Sequence, residues 1–223
     1  MNKAIHFNLL AITAVFSTLL FSSCDAHDDH DLPIDTAMHL CDVVCSDGTV
    51  VRYDDYKAKG KTASAVVFHI NNDGKGQGRA YAVCLYDIES SAFSDTLGLK
   101  QNTSASTEAH DGNTNTYTLL GNRNAYSPMA NMVFQYMDYG QSAYIPSVAQ
   151  MELLYHAKPV INETIRKCGG MPLPETPEGW YWKSTEVEGQ EQMKAWLYSM
   201  VSGLRLETSK LQNHRVRPII TVY

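Results

Sequence analysis

Cysteine, histidine and aspartate are the residues of this 223-residue chain best suited to nucleophilic chemistry or metal binding. Their densest grouping is the run 25–31, Asp-Ala-His-Asp-Asp-His-Asp. Imidazole and carboxylate groups are suitable ligands for a divalent metal ion. Adjacent ligands on a flexible segment lose much conformational entropy before they coordinate an ion, so we interpret the run as a solvated tether. The sequence therefore predicts no metal site there.

Beyond the tether, the histidines form no pattern typical of catalysis. They are scattered at His39, His69, His110, His156 and His214. The sequence contains no Gly-x-Ser-x-Gly nucleophile elbow, no His-Glu-x-x-His zinc motif and no phosphate-binding P-loop. We therefore expect a protein that is not an enzyme and that needs no cofactor.

Four cysteines follow the N-terminal region, at Cys41, Cys45, Cys84 and Cys168. An even number permits two disulfides with three connectivities in an exported chain. No Cys-x-x-Cys is present, so neither a redox centre nor a zinc ribbon is indicated. Since free cysteines are common core residues, we expect buried free thiols, and the disulfide status stays open.

The glycine-rich segment 71–78 resembles a ligand-binding loop only superficially. Lys75 stands where a calcium loop needs an oxygen ligand, and neither a helix nor a Gly-Lys-Ser/Thr sequence follows. The flanking segments 63–70 and 79–86 are rich in strand-forming residues. The pattern predicts a hairpin connection.

The first residues predict export. Residues 1–23 have one early positive charge, an apolar stretch and small residues at the end, which are the parts of a signal peptide. A transmembrane anchor is disfavoured because polar residues interrupt the stretch and no basic segment follows it. Phe21-Ser22-Ser23-Cys24 resembles a bacterial lipobox, which implies lipidation of Cys24 and attachment to a membrane. A free secreted protein is the alternative.

The acidic segment behind Cys24 resembles the export signal of certain Gram-negative surface lipoproteins. This resemblance implies the outer face of the outer membrane, with the periplasmic face as the alternative. Residues 24–38 are then an acidic tether, and 39–223 form a single domain, since we find no internal repeat and no domain boundary. The net charge of −6 and the lack of a Lys/Arg-rich run disfavour a nucleic-acid partner.

Local patterns predict an α+β fold. Residues 40–51 indicate two short strands around an Asp47-Gly48 turn, and 88–126 indicate a long polar surface loop with at most one short helix. Apolar spacing in 128–137 predicts a helix with core methionines. Arg217, next to a proline, is expected to pair with a carboxylate or with backbone carbonyls.

Two further helices are expected before the C-terminal strands. Ser147 and Gln150 form a capping-box pattern that starts the first, and the second is expected from Pro159 to Gly169. Beyond Gly179, alternating residues predict antiparallel strands, with turns at Glu188-Gly189 and Ser202-Gly203.

An ordered series of short motifs carries a family resemblance. These are Tyr144-Ile145-Pro146-Ser147, Ile161-Asn162, Tyr181–Glu186, Ala195-Trp196, Ser202-Gly203 and Arg215–Pro218. The series resembles the C-terminal domain of bacterial collagen-like adhesins and its lipoprotein relatives. The resemblance implies a C-type-lectin-like fold, akin to the formylglycine-generating-enzyme domain, with two helices packed on a mainly antiparallel sheet and long loops.

The resemblance implies a scaffold for display more than a catalyst. The related formylglycine-generating enzymes need two reactive cysteines near the C-terminus, and no cysteine follows Cys168. We expect a non-catalytic module that binds an extracellular protein or glycan. The alternatives are a structural or accessory subunit of a surface fibre or envelope assembly, a diverged enzyme of the same fold, and a retroelement-diversified variable protein.

The candidate ligand-binding residues lie in the C-terminal strands and turns. In this interpretation Trp182 and Trp196 belong to the core. The residues that alternate with Trp196 along its strand, namely Leu197, Ser199 and Val201, are expected to point outward. Exposed positions on a rigid scaffold are where binding usually occurs. The candidates are Glu186, Glu188, Gln190, Leu197, Ser199, Val201, Arg205, Gln212 and Asn213.

Overall fold

A computed structural model describes residues 37–135, 143–176 and 179–223. The predicted signal peptide, Cys24 and almost all of the predicted tether lie outside these residues. Internal contacts divide the chain into the units Met1–Ala37 and Met38–Tyr223, and the second unit is the one described below. Among the described residues, no helix has the length and apolar character that crossing a bilayer requires.

The described residues form two five-stranded sheets, which together with the helices confirm the predicted α+β class. The strands are β1 (Val43–Cys45), β2 (Val50–Val51), β3 (Ala63–Ile70), β4 (Ala80–Cys84), β5 (Ile88–Ala92), β6 (Trp180–Glu186), β7 (Lys194–Ser199), β8 (Arg205–Ser209), β9 (Asn213–Val216) and β10 (Ile219–Val222). The first sheet has the order β10-β4-β3-β1-β2, and the second has the order β5-β9-β6-β7-β8. All neighbouring strands are antiparallel except β6 and β9.

Two predicted hairpins are confirmed. β1 pairs with β2 across the Asp47-Gly48 turn. β3 pairs with β4, so the glycine-rich segment 71–78 connects two strands as expected. The side-chain amide of Asn71 donates to the Gln77 carbonyl at 2.7 Å, which braces the connection.

Four helices occur in the described residues; the family resemblance implied two packed helices, whereas the local patterns predicted three, with at most one more in 88–126. They are α1 (Tyr53–Ala58), α2 (Gly112–Gly121), α3 (Pro128–Gln135) and α4 (Val148–Lys167). The predicted capping box is present: the Ser147 hydroxyl accepts from the Gln150 amide, and the Gln150 side chain accepts from the Ser147 amide. In α3, Met129 is completely buried, as expected of a core methionine.

The predicted break at Pro159 is wrong, because α4 continues through it to Lys167. A proline inside a helix costs roughly 3 kcal/mol. Directly after it, Ile161 and Ile165 are fully buried against the first sheet and its surroundings. Burial of two such side chains contributes roughly 1.5–3 kcal/mol each, which offsets the cost of the proline.

The interpretation of 88–126 as a surface loop is also wrong in part. The segment contains β5 and α2, and Phe93, Gln101 and Thr103 within it are buried. Thr103 bonds to the buried Glu186 through its amide and hydroxyl, and Gln101 bonds to the same carboxylate through its backbone amide. A pattern of apolar spacing does not reveal polar residues of this kind.

Two large apolar clusters fill most of the domain, and both sheets contribute to each; a third, small cluster consists of Val43, Cys45 and Tyr56. One cluster contains Val67, Trp182 and Leu197 together with residues of α2 and α3. The other contains Phe68 and Tyr198 together with the apolar side of α4. Adjacent residues of one strand therefore point into different clusters, so these strands are covered on both faces.

Arg217 lies where the chain leaves β9 and enters β10 of the other sheet. Its side chain is fully buried, forms an ion pair with Asp87 and donates to the Met171 carbonyl at 2.9 Å and the Cys84 carbonyl at 3.3 Å. The Tyr181 hydroxyl also donates to Asp87, at 2.9 Å. The predicted structural role of Arg217 is confirmed.

Among the described residues, Cys41, Cys45 and Cys168 carry free thiols. Cys45 and Cys84 are buried, as expected, whereas Cys41 and Cys168 are half-buried. Burial raises the pKa of Cys45 and of Cys168. The reactive thiolate form is thereby disfavoured at both positions.

Candidate ligand-binding site

A cavity of about 470 Å³ opens beside the β7–β8 hairpin. One side is formed by the hairpin and by the residues that follow β6, and the other by the loop that precedes α2. The lining residues are Ala105, Ser106, Thr107, Glu108, Val187, Glu188, Trp196 and Glu207. The volume is within the range of about 300–1,000 Å³ that is typical of small-molecule sites.

Strand register places Trp196 and Glu207 side by side. The two residues face each other across β7 and β8, and directly opposed residues of an antiparallel pair share one face. Further along the same face, Tyr198 opposes Arg205, and Arg205 bonds to Glu152 of α4 at 2.7 Å. Helix α4 thus covers one end of this hairpin face, and the cavity occupies the other.

Trp196 is only partly buried, although its indole nitrogen Nε1 is inaccessible to solvent. Within the described residues, Nε1 has no hydrogen-bond partner. A buried unpaired donor costs about 1–3 kcal/mol. The indole therefore stands in the cavity wall with an unpaired donor, at a cost to folding.

The opposite wall is a short loop shaped by its own serine side chains. The Ser106 amide donates to the Ser104 hydroxyl at 3.1 Å, and the Glu108 amide donates to the Ser106 hydroxyl at 3.3 Å. The Ser104 amide in turn donates to the Asn115 side chain of α2 at 2.9 Å. These bonds hold the wall in a defined turn against the helix.

Glu186, at the end of β6, fixes the start of this loop. Its carboxylate is completely buried and accepts from the Gln101 amide at 2.8 Å and from the Thr103 amide and hydroxyl at 3.0 Å each. It also forms an ion pair with the fully buried Lys210. A buried carboxylate needs this degree of pairing, because an isolated charge in the interior is strongly destabilising.

Lys210 also fixes the wall that is formed by the residues after β6. Its ammonium donates to the Glu191 carbonyl, in the turn that joins β6 to β7 and carries Glu188. Gly189 in this turn has a φ of 73°, which favours glycine. Burial lowers the pKa of Lys210, and the hydrogen bond that its ammonium donates to Glu186 opposes that shift. One buried amine therefore ties both walls of the cavity to the sheet.

Carboxylates dominate the polar lining. Glu207 accepts from Lys194 at 3.2 Å and from Gln190 at 3.1 Å, both at Oε2. No lysine or arginine of the described residues pairs with Glu108 or Glu188. The cavity thus combines an aromatic wall with three carboxylates.

The structure brings only part of the predicted candidates to this cavity. Glu188 lines it, and Gln190 lies next to it through its bond to Glu207. Val201, Arg205, Gln212 and Asn213 lie outside the lining, and Arg205 is engaged with α4.

The expectation that Glu186, Leu197 and Ser199 face outward is wrong, since all three are buried. Leu197 belongs to one apolar cluster while the adjacent Tyr198 belongs to the other, because β7 is covered on both faces. The prediction assumed one solvent face. Trp182 is in the core as predicted, whereas Trp196 lines the cavity.

Glu108, Glu207 and Lys210 were not among the residues predicted from the sequence. The alternation Arg205-Leu206-Glu207 in a predicted strand was a signal that Glu207 shares a face with Arg205. Nothing local marks Lys210, whose role depends on a carboxylate from another strand. In the described part of the chain, no group of three or more His, Cys, Asp or Glu side chains is arranged to hold a metal ion.

No family model, no curated protein and no solved structure matches this chain.

Proposed function

We propose that the domain is a non-catalytic module that binds a glycan in the cavity beside Trp196. The cavity itself carries the proposal: it is built on a rigid hairpin, both of its walls are fixed by one buried ion pair, and its lining joins an indole to several acceptors. Sites of this type use an aromatic surface for contact area and a few polar groups for orientation.

A sugar ring suits this lining. The C–H face of a pyranose packs on an aromatic ring, and its hydroxyl groups donate to carboxylate oxygens, which only accept when ionised. Trp196 supplies the aromatic surface, and Glu188 and Glu207 supply the acceptors.

The finer fold belongs to the same proposal. We infer a C-type-lectin-like domain, related to the C-terminal domain of collagen-like adhesins, from the order of motifs between Tyr144 and Pro218. The described geometry supports a structural role for two framework residues, since Trp182 is buried in the core and Arg217 joins the two sheets.

We further propose that lipidation of Cys24 anchors the domain at the outer face of the outer membrane. Protease treatment of intact cells, beside the same treatment of lysed cells, tests the location. Digestion in intact cells is the expected result. Protection until lysis would indicate the periplasmic face and favour the envelope-assembly alternative. Replacement of Cys24 by alanine should release the protein from the membrane fraction.

Binding is tested with an immobilised panel of neutral, N-acetylated, anionic and amino glycans. Trp196→Ala should weaken binding at least about tenfold, because aromatic anchors in a binding site commonly contribute 2 kcal/mol or more. Trp196→Phe keeps a smaller aromatic surface and should retain part of the affinity.

The matched control for the aromatic change is Tyr126→Ala. Tyr126 is 51% exposed and lies outside the cavity lining, so its removal should leave binding unchanged. If the wild-type chain binds no member of the panel, or if both alanine variants bind like the wild type, the cavity is not a glycan site.

A further inference from the structure

We propose that the cavity selects a glycan that carries a free primary ammonium group, that is, an unacetylated amino sugar. This inference rests on the proposed glycan site and names the charge of its ligand. It starts from the charge balance of the cavity together with the indole in its wall.

The charge balance at the cavity is negative. Three glutamates from separate segments line it, namely Glu108, Glu188 and Glu207. Lys194 is the cation that pairs with one of them, at 3.2 Å from Glu207 Oε2. Like charges gathered around one cavity repel each other, so a bound cation relieves the repulsion and gains Coulomb energy at the same time.

The other nearby cations are already engaged elsewhere. Lys100 pairs with Glu191 at 3.3 Å, and Lys210 is buried with Glu186. Arg205 pairs with Glu152 of α4. The residues around the cavity therefore neutralise Glu207 in part and leave Glu108 and Glu188 without a cationic partner among the described residues.

The indole of Trp196 points to the same ligand charge. Tryptophan is the side chain that attracts a cation most strongly through its ring face. An aromatic wall beside carboxylates is a combination that holds an ammonium group better than a neutral amide. Glu207 Oε1 makes no hydrogen bond within the described residues, so it is available to accept from such a group.

Different residues therefore recognise the shape and the charge of the ligand. The sugar ring packs on Trp196, and the ammonium substituent donates to the carboxylates of Glu188 and Glu207. An N-acetylated sugar has the same ring but replaces the charged donor by a bulkier neutral amide. An anionic sugar is repelled by all three carboxylates.

The test compares two tetrasaccharides that differ only in acetylation: the glucosamine tetramer and the N-acetylglucosamine tetramer. Binding of each to the full chain is measured by isothermal titration calorimetry at low and at high salt. We expect the glucosamine tetramer to bind about tenfold more tightly, with a preference that shrinks at high salt because ionic contacts at an open cavity are screened.

Charge-removing variants assign the effect to the cavity. Glu188→Gln and Glu207→Gln keep the size of each side chain and should each reduce the preference for the glucosamine tetramer severalfold. The control is Glu89→Gln, an exposed glutamate on β5 at the opposite edge of the same sheet, which should leave the preference unchanged.

The outcomes separate the two proposals. Equal affinity for both tetramers overturns the ammonium inference and leaves the glycan site standing. A preference that persists in Glu188→Gln and Glu207→Gln also overturns the inference, because the charge then acts outside the cavity. Failure of the chain to bind any glycan of the wider panel overturns the proposed function and the inference together.

Discussion

Lys183 and Lys210 are both completely buried in the region of the second sheet, but their surroundings differ sharply. Lys210 pairs with Glu186 and donates to a carbonyl of the β6–β7 turn. Lys183 donates to the Trp182 carbonyl at 2.9 Å, and its ammonium lies 5.9 Å from the ring centres of Tyr181 and Tyr198. One lysine has a carboxylate partner, whereas the other is surrounded by aromatic rings.

The comparison shows two outcomes of burying an amine. Burial lowers the pKa of Lys183 well below its ordinary value, and no carboxylate opposes the effect. At Lys210 the carboxylate opposes the same effect, and the pair organises the segments around it. We therefore expect Lys210 to act as a positioning residue for the cavity, and we expect Lys183 to be a net cost to stability.

Removal of Lys210 should have the largest effect. Lys210→Met leaves the buried carboxylate of Glu186 without its cation, and breaking a buried pair in this way costs about 3–5 kcal/mol. Urea denaturation measures the loss. The double variant Glu186→Gln/Lys210→Met removes both charges and should recover part of the stability. A single variant as stable as the wild type would remove the distinction between the two lysines.

A smaller loss of stability is expected when one hydrogen bond between Glu186 and the loop before α2 is removed. Thr103→Val removes the hydroxyl that donates to Glu186 at 3.0 Å and keeps the size of the side chain. Hydrogen bonds to charged groups contribute about 1.5–3 kcal/mol, so a loss of this size is expected in the free energy of unfolding. Thr107→Val, in the same loop but without a bond to Glu186, is the control.

At Lys183 we expect a substitution to increase the stability of the domain. Lys183→Met replaces a poorly paired polar group by an apolar one of similar length and should stabilise the domain by about 1–2 kcal/mol near neutral pH. Denaturation at pH 7 measures this gain. A destabilised variant would show that the amine contributes a favourable interaction with Tyr181 and Tyr198.

The pH dependence tests the same lysine independently. Because the folded-state pKa of Lys183 is lowered, the unfolded chain holds more protons than the folded chain between that pKa and the ordinary lysine value. The free energy of unfolding therefore increases as pH rises through this range. In the pH range just below the ordinary lysine pKa, Lys183→Met should reduce the slope of stability against pH by up to about 1.4 kcal/mol per pH unit.

The smallest effect is expected at the exposed ion pair between β8 and α4. Arg205 and Glu152 approach to 2.7 Å, but their side chains are 31% and 44% exposed. Exposed pairs contribute about 0–1 kcal/mol. Glu152→Gln should therefore change stability by less than about 1 kcal/mol, and a loss as large as that of Lys210→Met would contradict the contrast between buried and exposed pairs.

The parts of the fold that could be predicted from the sequence are those that depend on residues close together along the chain. The Asp47-Gly48 turn, the Ser147 capping box and the hairpin around 71–78 all follow from local backbone preferences and side-chain bonds. Arg217 was predicted to be structural for a similar reason, since an arginine in an apolar segment beside a proline needs partners for its charge.

The errors share a physical cause as well. Glu186 is internal because Lys210 and the amides at Gln101 and Thr103 reach it from distant parts of the chain. Leu197 is internal because a second layer covers the face that alternation assigned to solvent. Tertiary contacts decide both positions, so neither the residue type nor its spacing signals them.

The junction at Arg217 has a consequence for the order of assembly. β10 pairs with β4 and is bridged by Tyr144, so the first sheet is completed by residues that leave the ribosome long after β4. Contacts of such high sequence separation slow folding, because a long loop must close before they form. The domain therefore stays incomplete, with β4 open at one edge, until the chain beyond Arg217 has been made.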